Sequence, residues 1–292
     1  MSTNALLLQI LTGLSRAAIL FIVAAGLSLV FGAMRIVNIA HGSFYMLGAF
    51  LAVTVAGAVA GPFGFVAALV VAPLIVAVVG GVIEVSALRR LYGKEHLLQL
   101  LATFAVLLVL HDAVRWFYGE RPRSLRAPEF ARGSVDLAGT IYPRYGLFII
   151  VAALLIAGGL WALMSRTGLG RDIRAAVSDP EMLGMVGVDV RRLFTIVFML
   201  GAALGGIGGV LAAPQTTLLL GMDVDIIVQS FAVVIIGGLG SLLGTAVGAV
   251  LVGVTFALGI VWFPSAAMAI VFLVMVAVLV VRPTGLFGIP EA

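Results

Sequence analysis

The chain has 292 residues, 63% of them apolar and 10% charged, with a mean hydropathy of +1.25 and a net charge of +4. A soluble domain is about 45–50% apolar and about 25% charged, so these values exclude a soluble enzyme or binding module and describe a chain that crosses a membrane many times. The modest positive charge sits on loop arginines that set orientation rather than on a nucleic-acid surface, and the absence of Cys removes disulfides, thiol nucleophiles and Cys-ligated metals.

A membrane span needs about 20 apolar residues. In chain order the candidate spans are 14–34, 39–60, 63–83, 97–118, 145–164, 193–213, 241–262 and 265–281, with a shorter apolar piece at 226–239. That piece ends at Gly237-Gly238-Leu239-Gly240-Ser241 and reads as a short span or half of a broken one. No basic leader precedes the first span, and no polar block is long enough for a second domain. The expected architecture is therefore an all-α polytopic membrane protein of about eight transmembrane helices, one domain over 1–292, with a broken helix near 226–241.

The basic residues give an orientation. Arg166, Arg171, Arg174, Arg191 and Arg192 lie in 165–192, and Arg89, Arg90 and Lys94 lie in 84–96. With both segments inside, the N-terminus falls outside, the C-terminus falls inside, and ten basic residues lie inside against five outside. The 119–144 segment resists this pattern, since it carries Arg121, Arg123, Arg126, Arg132 and Arg144 on the outer side. Its prolines, Pro122, Pro128 and Pro143, predict turns and short elements.

Polar residues inside the apolar sequence are the next signal, because hydrocarbon penalises them. Asn38, His41 and Ser43 stand beside Gly42 and Gly48. The glycines permit a helix break or a close backbone approach. If a helix restarts here, its free N–H groups face a polar ligand. Equally, Asn38 and Ser43 cap the helix and His41 satisfies a neighbouring carbonyl. Gly240-Ser241 is a weak echo of Gly42-Ser43 at the start of a second helix, the placement seen where two broken helices flank a path. Gly205-Gly206-Ile207-Gly208-Gly209 and Gly244-Thr245-Ala246-Val247-Gly248 read as helix-packing faces.

Within 165–192, Arg171 to Val177 predicts a short helix. Ser178-Asp179-Pro180 predicts a stop, an N-cap and a second helix beginning at Pro180, and Gly187 ends it. Two short helices on the inner face form a knob for a soluble partner, or a solvated loop that only sets topology. Asp112 and Arg115, spaced i, i+3, are expected to pair, and Arg16 is expected to snorkel outward.

Other chemistries find little support. His41, His96 and His111 are scattered, so no metal site is expected. Ser43 and Ser241 lack a Gly-x-Ser-x-Gly frame, and consecutive His111 and Asp112 do not face each other, which argues against an intramembrane serine protease. A gradient-driven transporter or channel working alone needs intramembrane carboxylates, and only Glu84 and Asp112 lie near spans, both toward their ends.

The run Asn38-x-Ala40-His41-Gly42-x-x-Tyr45-Met46-Leu47-Gly48-Ala49 resembles the signature of LivH-type permeases, inner-membrane subunits of ABC importers for branched-chain and related amino acids. Gly26 to Gly32, Gly170-Arg171-x-x-Arg174-Ala175 through Gly187-Val188, Val234 to Gly248, and Arg282-Pro283-x-Gly285-Leu286-Phe287-Gly288 are similar to further segments of that family. Ala40-His41-Gly42, where the sister LivM-type permease tends to have Gly-His-Gly, favours the LivH side. The resemblance implies a translocation pathway near Asn38, His41, Gly42, Ser43, Gly237, Gly238, Gly240 and Ser241. It also implies a coupling segment built on Gly170, Arg171, Arg174, Ala175, Asp179 and Gly187. The implied partners are a LivM-like permease, two cytoplasmic ATP-binding subunits and a periplasmic substrate-binding protein, in a bacterial inner membrane. No cofactor is expected on this chain. ATP and Mg belong to the partners, in keeping with the missing Gly-x-x-x-x-Gly-Lys-Ser/Thr loop.

Overall fold

Helix order follows from the apolar runs and their punctuation. The structure is a computed structural model and describes residues 3–59, 61–137 and 139–288. Among these are α1 (Thr3–Met34), α2 (His41–Ala58), α3 (Gly64–Ser86), α4 (His96–Tyr118), α5 (Arg144–Arg166), α6 (Gly168–Ser178), α7 (Pro180–Met185), α8 (Val190–Ala212), α9 (Met222–Gly237), α10 (Leu242–Trp262) and α11 (Ala267–Val281). Eight helices are long and apolar enough to cross a membrane. The last of these, Pro264–Val281, is α11 lengthened by the 3-10 turn Pro264–Ala266, whereas α9, with 16 residues, falls short of a full span. Ala60, the last residue of the expected 39–60 span, lies outside the described residues.

The first span begins earlier than its apolar run suggested. Instead of starting at residue 14, α1 extends back to Thr3, because Asn4 Nδ2 donates to the Gly139 carbonyl at 3.3 Å and the Leu11 carbonyl accepts from Tyr142 Oη at 2.9 Å. These bonds come from the antiparallel hairpin β1 (Ser134–Leu137) and β2 (Thr140–Pro143), the short elements expected of 119–144. Burial pushes the Tyr142 phenol above its ordinary value, which keeps it a neutral donor. The arginines that seemed out of place there are partly absorbed locally: Arg123 Nη2 donates to the Tyr118 carbonyl at 3.0 Å and Arg132 Nε to the Ala127 carbonyl at 2.8 Å.

Burial separates an inner from an outer set of helices. The most apolar stretch of α1 is 83% buried, whereas that of the last span, Pro264–Val281, is 11% buried. Around α1 pack α8, α9 and α10, and α2 packs on α3, α8 and α9. Glycine makes these contacts close. A Cβ on Gly209 would strike the Tyr45 carbonyl, and one on Gly248 the Val233 carbonyl, so both glycine runs are packing faces as expected.

Two interruptions lie at the end of the bundle opposite the hairpin. After α1, Arg35 takes a left-handed conformation, φ 52°, and residues 35–40 run back into the bundle before α2 starts at His41. Between α9 and α10, Gly238 and Gly240 take φ of 102° and 80°. The interruptions meet: a Cβ on Gly32 would lie 3.2 Å from Gly240 Cα.

Candidate functional site: an open cavity, a buried polar junction and a helical corner

At the hairpin end the ends of α1, α2, α5, α9 and α10 and the 213–221 connection enclose a cavity of about 1200 Å³. The 213–221 connection is tied to the preceding segment by the pairing of Arg123 with Leu218, whose amides and carbonyls exchange bonds of 3.1 and 2.8 Å, and Tyr145, on the cavity wall, donates through Oη to the Leu211 carbonyl at 2.9 Å. Thr12, Ser15, Arg16, Gln215, Asp225 and Gln229 supply polar wall, while Ile19, Ile226, Phe256 and Ile260 supply apolar wall. Arg16 does not snorkel outward. Its Nη2 donates to Gln229 Oε1 at 2.6 Å, and its guanidinium carbon lies 3.7 Å from the centroid of the Phe256 ring. A mixed wall with a few convergent polar groups is the ordinary form of a small-molecule site.

A second polar region lies on the other face of α9 and is buried. Asp223 Oδ2 accepts from Ser43 Oγ at 3.3 Å and faces His111 Nδ1 at 3.2 Å, joining α2, α4 and α9. Its Oδ1 has no partner among the described residues. The α9 N-terminus places this carboxylate where the helix dipole favours negative charge. Next to it Gly42 admits the backbone itself, since a Cβ there would strike the Asp223 carbonyl oxygen.

Of the residues marked in the sequence, Asn38, His41 and Ser43 are buried in this junction or beside it, and none lines the cavity. His41 Nε2 lies 2.9 Å from the Val23 carbonyl; a carbonyl only accepts, so Nε2 carries the proton. The capping alternative fails for Asn38 and Ser43: the start of α2 has no side-chain cap, the Asn38 amide has no partner among the described residues, and Ser43 turns to Asp223. Ser241 does cap α10, accepting from the Gly244 amide at 3.1 Å. Gly237 packs on Gly244, and Gly238 on residues 287–288. The expected Asp112–Arg115 pair is not formed; Arg115 pairs with Glu120 beyond the helix end, where both side chains are free to turn.

The 165–192 segment folds as two short helices, α6 and α7, outside the spans. Thr167 Oγ1 accepts from the Gly170 amide at 3.1 Å, and Asp179 Oδ1 accepts from Glu181 and Met182 amides at 3.0 and 2.9 Å. Arg174 Nη1 donates to the Met164 carbonyl, which clamps the corner between α5 and α6. Gly170 sits so close to the Leu163 and Met164 carbonyls that only glycine fits, and Gly187 turns the chain at φ 92° after α7. Arg171 and Ala175 stay exposed, whereas Ile173 and Ala176 pack on Leu29 and Ala33 of α1. Beyond them Met182 is 63% exposed and Met185 85% exposed.

The model of the family described as branched-chain amino acid transport system, permease component, matches residues 9–279. The chain belongs to this family. The permease is 29% identical to the high-affinity branched-chain amino acid transport system permease protein BraD of Pseudomonas aeruginosa, over 97% of this chain and 96% of that protein. It is 26% identical to LivH of Salmonella typhimurium, again over 97% and 96% of the two chains. It is also 26% identical to a probable LivH of Methanocaldococcus jannaschii, over 93% and 89%. Such proteins are membrane transport subunits rather than enzymes. Among the described residues of the permease no three His, Asp or Glu side chains gather as metal ligands.

Sequence reasoning missed Asp223, Asp225 and Gln229. They sit in the short helix whose spanning was in question, and carboxylates one and three residues before the 226–239 apolar run look like flanking charges. The available signal was a charged pair, Asp223 and Asp225, opening a helix too short to span alone.

Proposed function

We propose that this permease is the LivH-like membrane subunit of an ATP-driven importer for branched-chain or related amino acids, or small amide- or urea-like solutes, in a bacterial inner membrane. One transmembrane domain faces outward with its N-terminus and the cavity, and inward with the α6–α7 corner and the C-terminus. The observation that carries this reading is the near full-length relationship to permeases of that transport system, joined to a polar-lined cavity at one end of the bundle and an exposed two-helix knob at the other.

The geometry suggests how motion passes through the chain. A soluble ATP-binding partner grips α6 and α7 through Arg171, Ala175 and the exposed Met182 and Met185. Movement of α6 shifts α1, because Ile173 and Ala176 pack on Leu29 and Ala33. In the same turn of α1, Gly32 meets Gly240 at the place where the two interrupted segments touch. We place the closure of the pathway in this seam. Gly237, Gly238, Gly240 and Ser241 lie at this seam, while Asn38, His41, Gly42 and Ser43 belong to the pathway further from the corner, where α2 meets Val23 of α1 and the start of α9. Helix-packed seams of this kind have discrete arrangements, so a small shift at the corner is expected to switch access between faces. Two ATP-binding subunits with ATP and Mg, a LivM-like second permease and a periplasmic binding protein complete the assembly.

The test is mild-detergent purification from the native membrane, followed by reconstitution of what co-purifies. Recovery of a second permease and two ATP-binding subunits, with ATP-dependent leucine uptake once the binding protein is added, is the expected result. Uptake by the chain alone under a proton or sodium gradient would overturn it in favour of a self-sufficient transporter.

A further inference from the structure

Opposite charges share the cavity without pairing. Arg16 and Asp225 both line it, yet no ion pair among the described residues joins them. Arg16 is held by two contacts that leave part of its donor edge unused. Phe256 stacks on the guanidinium at 3.7 Å and Gln229 Oε1 takes Nη2 at 2.6 Å; Nε is buried without a partner, and Nη1 makes no hydrogen bond with the described residues. Gln229 is itself fixed, since its Nε2 donates to the Asp225 carbonyl at 3.1 Å. The Asp225 carboxylate accepts no hydrogen bond from the described residues and is exposed to the cavity.

Helix geometry bounds the spacing of the two charges. Asp225 precedes Gln229 by four residues, a rise of about 6 Å along α9, and Arg16 is anchored at the Gln229 level. A guanidinium and a carboxylate that grip the two ends of an α-amino acid stand about 6–8 Å apart, one hydrogen bond on each side of a carboxylate and an ammonium carried on one carbon. An unpaired carboxylate and a half-satisfied guanidinium in a membrane helix bundle are costly when left without a partner, and a dipolar solute satisfies both. A planar guanidinium suits a carboxylate in particular, because its N–H groups form a fork.

We infer that Arg16 and Asp225 form a clamp for a zwitterionic α-amino acid, in which Arg16 takes the carboxylate, Asp225 takes the ammonium, and Ile19, Ile226 and Ile260 receive the side chain. The inference rests on the amino-acid permease reading and adds the residues that hold the solute on its way through this subunit. Both ends of the ligand must be present, so a solute lacking either charge loses one half of the site.

The experiment uses the complete transporter in proteoliposomes, with leucine-loaded binding protein, and reads leucine uptake and ATP hydrolysis together. Arg16→Gln and Asp225→Asn are expected to lower leucine carried per ATP at least tenfold. The binding-protein concentration at half-maximal rate should stay unchanged, and Arg16→Lys and Asp225→Glu should retain most of the transport. A residue with a structural role would lower uptake and hydrolysis in step. Wild-type leucine per ATP in Asp225→Asn would overturn the clamp. That variant carries the test alone if Arg16→Gln fails to assemble, because the Asp225 carboxylate makes no bond within the described fold. Failure of the wild-type complex to move any α-amino acid, leucine included, would instead defeat the amino-acid reading on which the clamp rests.

Discussion

Asp223 and Asp225 lie two residues apart on α9 and live in different worlds. Positions i and i+2 of a helix point about 200° apart. Asp223 therefore turns into the protein, between Ser43 of α2 and His111 of α4, whereas Asp225 turns into the open cavity beside Arg16. The first is a fixed strut among three helices; the second is a free charge facing space that a solute can fill. Burial decides which role a carboxylate takes. Where neighbours supply donors and exclude water, the carboxylate holds helices together, and losing it leaves His111 and Ser43 without their partner. Where the wall is open, the same group is left for a ligand.

The comparison can be broken in several ways. The largest effect is expected at Gly42, where any Cβ meets the Asp223 carbonyl oxygen. Gly42→Val should force α2 and α9 apart, cost at least about 3 kcal/mol and abolish recovery of intact protein from membranes; normal yield and melting temperature would contradict the close approach. The chain has no Cys, so single cysteines report water directly. A thiol at Thr12, on the cavity wall, should react with a membrane-impermeant maleimide about a hundredfold faster than one at Ser43, which is fully buried. Equal rates would erase the distinction between the two regions.

Smaller effects sharpen it. Asp223→Ala should lower stability by about 2 kcal/mol through loss of its two buried-side partners, while Asp225→Ala should stay within about 0.5 kcal/mol. Thermal melting of the purified complex checks both, and similar melting shifts for the two would show that Asp225 is also structural. Tyr142→Phe, which removes the hydroxyl bonded to the Leu11 carbonyl and interacting with Ser15, should cost about 1 kcal/mol and loosen the first turns of α1, seen as faster amide exchange over residues 3–11.

Much of the fold is legible in the apolar runs because lipid leaves a helix few alternatives. The α6–α7 corner was largely readable: Asp179 and Pro180 are local signals for a cap and a first turn, and they act within a few residues of themselves, whereas α6 begins at Gly168, three residues before the expected Arg171, because Thr167 caps it. The polar sites were less readable. His41 was recognisable as a buried group seeking a carbonyl, yet nothing nearby in sequence marks Val23 as its acceptor. Arg16 looked like a snorkelling residue at a span's start. Only the extension of α1 to Thr3 and the placement of Gln229, 213 positions away, turn it into the cavity.

The sequence by itself determined that the protein is a bundle of membrane helices, where most of them begin and end, which end carries the paired short helices, and which family pattern it follows. These depend on hydropathy, caps and glycines, all of which act over a turn or two of chain. Only the tertiary structure decided which polar groups are struts and which face open space. That outcome depends on partners more than a hundred residues apart, such as His111 with Asp223 and Ser43 with Asp223, and on rotations of a helix by one or two residues that composition does not record.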